Sequence, residues 1–206
     1  LTGAPVELIR GAVEALKLGR RRWGAELGSE QRLGLSHQDF LAIQKALPGA
    51  TFADASDLLW RLRVIKSPAE LEAMRRSGQI AAQAYDYAFG AARAGMREKD
   101  FGVLLSEAIV RAGGEGGFIL ATSGRGNYDR VAGMPTDRRL ERGDMIWSDL
   151  GVISNGYWTD HCRAGVVGPP TEHQRRNWEQ VVQVTGKGGE VIRPGVPVGA
   201  VVEACN

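Results

Sequence analysis

Two aspartates eleven positions apart, Asp149 and Asp160, are the residues of this 206-residue chain whose type and spacing could do chemistry. Between them lies Ser154-Asn155-Gly156-Tyr157, and Asn-Gly suits the left-handed conformations of a type I′ hairpin turn. A two-residue loop at Asn155-Gly156 sets residue 154 opposite 157, 151 opposite 160 and 149 opposite 162. Strand side chains alternate, so Trp147, Asp149, Gly151, Trp158, Asp160 and Cys162 share one face. The aspartates become diagonal neighbours, roughly 7–8 Å apart at the backbone and able to converge at their tips. Gly151, opposite Asp160, leaves space beside them. Two carboxylates on a partly apolar face repel each other and are costly to desolvate; one or two divalent cations between them would remove that cost. Hard oxygen ligands at this spacing suit Mn, Fe, Co, Zn or Mg. The alternative is a pair of aspartates that ends in water or pairs with Arg163.

The same register limits what else can join them. His161 points to the opposite face and reads as a surface or second-layer histidine, while His37 and His173 lie in polar helical contexts. Cys162 shares the aspartates' face, where a cysteine commonly serves as small core filler. Trp147 and Trp158 share it too, as core residues or as the lining of a pocket. The 26 basic and 24 acidic residues leave a net charge of +2, so no global field draws the chain to nucleic acid or anionic lipid. Arg20-Arg21-Arg22 reads as a solvated loop at a helix end. No apolar run reaches the ~18 residues of a membrane span, and no signal peptide opens the chain. Two cysteines, Cys162 and Cys205, build no disulfide framework, which makes a reducing, cytoplasmic setting the default. Leu1 in place of Met, and a last helix with no stop signal, imply a fragment cut at both ends.

The elements that must position the aspartates follow from periodicity. Pro5 to Leu18 reads as a helix, Trp23 to Leu27 as a strand, and His37 to Leu47 as a helix capped by Ser36. Ala50 to Ala53 is a second strand, and a short helix starts at Asp54 or Ser56 and runs through Leu59. The texture changes at Lys66-Ser67: Ser67, Pro68 and Glu70 form a capping box with proline at the first helical position. A long helix follows, with Leu71, Met74, Gly78, Ala81, Tyr85 and Ala88 as its apolar stripe. Glu98 to Ala112 is a helix stopped by Gly113-Gly114, and Gly117 to Thr122 is a strand. Met145 to Ile153 and Tyr157 to Val167 form the hairpin, and helices run from Thr171 to Val191 and from Val198 onward.

Several of these segments resemble a known family. Arg63-Val64-Ile65-Lys66-Ser67-Pro68-Ala69-Glu70-Leu71 resembles the entry to the catalytic domain of the pita-bread metallopeptidases, the Xaa-Pro aminopeptidases, prolidases and creatinase, with methionine aminopeptidase more distant. Gly143-Asp144, Asp149-Leu150-Gly151, Gly156-Tyr157-Trp158-Thr159-Asp160 and Arg163 resemble that family's metal hairpin in order and spacing. Arg193-Pro194-Gly195 stands where the family tends to place such a triplet. The first sixty residues, including Gly24-Ala25-Glu26, resemble the second half of its amino-terminal domain.

The resemblance implies an α+β chain. Residues 1–65 would be the C-terminal part of a creatinase-type α/β amino-terminal domain, and 66–206 the first half of a pita-bread catalytic domain with a curved antiparallel sheet. It implies that Asp149 and Asp160 are the first two of five ligands for two divalent metal ions, Mn, Co, Fe or Zn, in a full-length parent. A histidine and two glutamates from the other half would supply the rest, and the parent is expected to be a homodimer acting on a small peptide or other small molecule. One departure stands out: the family's peptidases carry a histidine seventeen residues before the first aspartate, where this chain has Ala132. Nearby Asp129 and Arg130 either recognise a substrate or pair with each other.

Three functions are compatible with these residues. The first is a metal-dependent hydrolase of the Xaa-Pro peptidase type, in which two metals share a hydroxide that attacks a peptide or amide carbonyl; the fragment alone would be inactive. The second is a non-peptidase enzyme of the same fold, acting as a creatinase-like or ectoine-type hydrolase or as a lyase. The third is a catalytically inactive binding module, against which both aspartates weigh, since uncompensated carboxylates on a buried face gain such a module nothing.

Overall fold

The computed structural model describes residues 4–29, 31–124 and 133–206. The chain divides after Pro68 into two compact units, each with its own core. The first holds α1 (Ala4–Ala15), β1 (Arg22–Ala25), α2 (His37–Ala46), β2 (Thr51–Asp54) and α3 (Ser56–Val64). β1 and β2 pair in parallel, Trp23 against Phe52, and Val6, Val13, Ile43 and Leu47 are buried together. Ser36 caps α2 by accepting from the Asp39 amide at 3.1 Å. The third helix runs five residues beyond the expected Leu59. No proline or glycine interrupts Trp60 to Val64, and Arg61 and Arg63 complement the dipole at the helix C-terminus.

The second unit contains α4 (Pro68–Ala91), α5 (Glu98–Arg111), β3 (Glu115–Ser123), β4 (Met145–Ser154), β5 (Tyr157–Val166), α6 (Glu172–Val191) and α7 (Val198–Cys205). Its three strands form an antiparallel sheet in the order β3-β4-β5, separate from the β1-β2 pair. Ile146, Leu150 and Val152 of β4 alternate along one face and are buried with Ile80, Ala84 and Tyr85 of α4 and Phe101 and Leu105 of α5. Phe89 links the helices, 5.7 Å from the Tyr85 ring and 5.1 Å from Phe101. α5 ends at Gly113, which takes φ 82° in the left-handed region as a C-terminal cap requires.

The buried stripe of α4 differs from expectation. Leu71 is 48% and Met74 37% exposed, whereas Ser77 and Ile80 are fully buried alongside Ala81, Ala84, Tyr85 and Ala88. A serine can enter this face because its hydroxyl bonds back along the helix, to the Ala73 and Met74 carbonyls at 3.3 and 2.9 Å. Among the described residues, no helix is long and apolar enough to cross a membrane.

Candidate metal centre

The turn between β4 and β5 is built by Asn155 and Gly156, at φ 51° and 79°. Both signs are those of a type I′ turn, whose twist matches the flanking strands. The register is the one such a turn dictates: Ser154 faces Tyr157, Gly151 faces Asp160 and Asp149 faces Cys162. Asp149 and Asp160 therefore stand on the sheet face opposite α4 and α5.

The two carboxyls lie within hydrogen-bonding reach of one another. Partial burial, then the hydrogen bond and negative charge of Asp160, push the Asp149 carboxyl above its ordinary value. Asp149 Oδ1 is buried and has no hydrogen-bond partner. A buried, unsatisfied oxygen beside a second carboxylate is costly as it stands and fits a hard divalent cation. Among the described residues, no group of three or more His, Cys, Asp or Glu side chains assembles around a common point. Cys162, cross-strand from Asp149, is exposed as a residue, and its thiol is pushed up by partial burial and by the Asp149 charge.

The space expected at Gly151 is filled. A side chain there would start 2.7 Å from the Phe118 ring and 3.2 Å from the Trp158 indole. Phe118 comes from β3, directly cross-strand from Gly151, so the room beside the aspartates is taken by a strand that the hairpin pattern leaves out of view.

Behind the hairpin, the Tyr85 hydroxyl lies 2.9 Å from the Ser148 carbonyl and 2.7 Å from the His161 carbonyl, so its single proton is shared between the two strands. These two residues flank the aspartates in sequence, so α4 holds the hairpin in place through one phenol. His161 lies on this helix-facing side, as the register requires, with its ring against Gly78. Burial, then the Arg163 charge, lowers its pKa, and its Nδ1 is buried without a partner.

A fully buried acid was not singled out by sequence. Glu98, 1% exposed at the start of α5, accepts from Ser123 Oγ at 2.7 Å, and from the Thr136 amide at 3.0 Å and Oγ1 at 2.6 Å. Burial alone would raise this carboxyl; the hydrogen bonds from Thr136 and Ser123 outweigh it and hold Glu98 below its ordinary value. Arg138 extends the network, donating to Ser123 Oγ at 2.8 Å and pairing with Asp144 at 2.6 Å. Asp144, in the turn that opens β4, is thus a structural partner of Arg138. Asp129, Arg130 and Ala132 lie outside the described residues.

A profile of metallopeptidase family M24 matches residues 72–206. The chain belongs to metallopeptidase family M24. This M24 chain is 31% identical over 146 residues to the Xaa-Pro dipeptidase of Pyrococcus furiosus, covering 70% of this chain and 42% of that protein. It is 25% identical over 199 residues to the Xaa-Pro dipeptidase of Lactobacillus helveticus, covering 93% and 52%. Its fold matches the prolidase of Pyrococcus furiosus with a TM-score of 0.74 at 27% identity, covering 93% of this chain and 56% of that one. The X-Pro aminopeptidase of Thermotoga maritima, at 24% identity, shares the fold with a TM-score of 0.84 over 97% of this chain and 55% of that one. The fold is therefore the α+β pita-bread type, and the chain spans about half the length of the curated relatives it matches.

Proposed function

We propose that this M24 chain supplies the first two carboxylate ligands, Asp149 and Asp160, of the dinuclear metal centre of a hydrolase that cleaves Xaa-Pro dipeptides. The observation that carries the reading is the buried, partnerless Asp149 Oδ1 next to Asp160, on the uncovered face of a three-stranded sheet. In this reading residues 1–65 close an amino-terminal domain, and 66–206 form the first half of the catalytic domain. Two first-row divalent ions such as Mn, Co, Fe or Zn, when bound, would polarise the scissile carbonyl and supply a water-derived nucleophile near neutral pH. Asp149 and Asp160 hold the charge that binds them, and Tyr85 fixes the strand separation that sets the two carboxyls side by side. Two carboxylates alone are too few donors for such ions. The remaining ligands are assigned to sequence outside these 206 residues, in keeping with relatives about twice as long. The 206-residue chain by itself is then inactive. The reading extends to a cytoplasmic homodimer, on the two free cysteines for the first and the family resemblance for the second.

The test is turnover of Leu-Pro by the full-length protein, with and without added Mn²⁺. Asp160→Asn should remove metal-dependent turnover by at least about 100-fold and lower bound metal, because an amide oxygen is a far weaker ligand than a carboxylate. Unchanged metal content and activity in that variant would sink the assignment. Ala132, standing where the family's peptidases carry histidine, favours a second reading on a non-peptide substrate. A metal-loaded protein that hydrolyses no Xaa-Pro dipeptide would select it.

A further inference from the structure

Trp158 stands on β5 two residues before Asp160, on the same sheet face, roughly 7 Å away along the strand. Trp158 is 54% exposed, and its indole is seated by a glycine on the neighbouring strand β4 and another on β3, one strand further across the sheet. A side chain at Gly117 would start 2.1 Å from the indole, and one at Gly151 3.2 Å from it. Gly117 falls at the register shift of β3, between Gly116, which faces Val152, and Phe118, which faces Gly151. A bulge that carries no side chain opens a flat seat and re-aims what lies over it. The Phe118 ring, beside Gly151, borders the same seat. The result is an aromatic platform next to the carboxyl pair, with half its area left to water. An indole lying flat beside the carboxyl pair offers an apolar, electron-rich face to a group held there.

We infer that Trp158 is the platform on which the proline ring of the substrate lies, and so a specificity determinant of this enzyme. The inference rests on the Xaa-Pro dipeptidase reading above. The proline ring begins at the nitrogen bonded to the scissile carbonyl, so a dipeptide whose carbonyl is held at Asp149 and Asp160 keeps that ring within a few ångströms of the carboxyl pair, on the side where the indole lies over Gly151. Proline suits the surface: its ring is apolar, already rigid, and presents C–H groups to an electron-rich face, the same match used by aromatic grooves that take proline-rich peptides. The expected effect of losing such a contact is up to about tenfold in affinity.

The test uses the full-length protein turning over Leu-Pro, with free L-proline and free L-leucine as competing products. Trp158→Ala should raise the inhibition constant of proline about tenfold and leave that of leucine within about twofold. Trp158→Phe, which keeps an aromatic face, should return proline to within about threefold of the native protein. Should Trp158→Ala fail to fold, Gly117→Ala takes its place with the same expectations, since the new methyl pushes the indole off its seat. A proline constant unmoved by the substitution, or proline and leucine constants that rise together, overturns the inference. A native protein that cleaves no Xaa-Pro dipeptide overturns the functional reading and the inference with it, a result distinct from an active protein indifferent at position 158.

Discussion

The shared sheet face of Asp149 and Asp160 could be read from sequence because both lie within six residues of the turn that sets their register. Tyr85 and Glu98 could not be read for what they do. Tyr85 belongs to an apolar stripe by spacing, and only the packed helix shows its hydroxyl between the Ser148 and His161 carbonyls. Tyr85→Phe should destabilise the unit by about 1–2 kcal/mol, since two strand carbonyls lose a donor in a site closed to water. A melting temperature lower by roughly 2–6 °C would register it. Glu98 reads as an acid that complements a helix dipole, yet it is buried and pins Ser123 and Thr136, 25 and 38 positions away. Its carboxyl sits below the ordinary 4.5, so the unfolded chain takes up the proton first as pH falls. The stabilisation is complete above about pH 4.5 and drains away as pH drops through the lower, folded value. Melting at pH 7 and at about pH 3.5 should show native protein losing more stability than Glu98→Gln, whose amide does not titrate. Equal losses would place the acid sensitivity elsewhere.

At the scale of elements, the hairpin is the part whose local chemistry and global position agree. Asn155 and Gly156 take the positive φ values their types allow, and the alternation they impose puts Ile146, Leu150 and Val152 on the core and the aspartates away from it. Gly156 has open space around the position of a side chain, so Gly156→Ala isolates the conformational cost of a left-handed alanine, about 1–2 kcal/mol. The expected result is a melting temperature lower by roughly 2–6 °C with bound metal unchanged in the full-length protein, because the register survives. Gly151→Ala is the contrast. Its methyl meets the Phe118 ring, so it should perturb the aspartate face itself. For α4, spacing found the helix but placed its buried stripe partly wrong: Leu71 and Met74 fit the period, yet the packed face includes Ser77 and Ile80. An apolar period marks which residues can be buried, and the neighbouring sheet decides which of them are.

At the scale of the whole molecule, α6 and α7 pack on each other, with Gly188 close against Cys205, while much of their apolar surface faces water. Trp178 is 59% exposed, and Val181, Val182, Val198 and Val202 are exposed with it. Large apolar side chains left open to water bind apolar probes and promote association. The isolated 206-residue chain should therefore bind a dye such as anilinonaphthalene sulfonate more strongly per mole than the full-length protein, and Trp178→Ser should weaken that signal. Equal dye binding by the two proteins would mean this surface stays open at full length.

By itself the sequence determined the order of helices and strands, the hairpin register and the face on which Asp149 and Asp160 stand. Each of these depends on neighbours within one turn or one strand, through backbone chirality, caps and side-chain alternation. The tertiary structure alone decided that the space at Gly151 is filled by Phe118, that Trp158 lies over Gly117, and that Asp149 Oδ1 is shut away from partners. The first two turn on how β3, some thirty residues upstream of β4, pairs across its bulge at Gly117. A one-residue shift there would present the opposite faces of β3, and no local pattern in either strand encodes it.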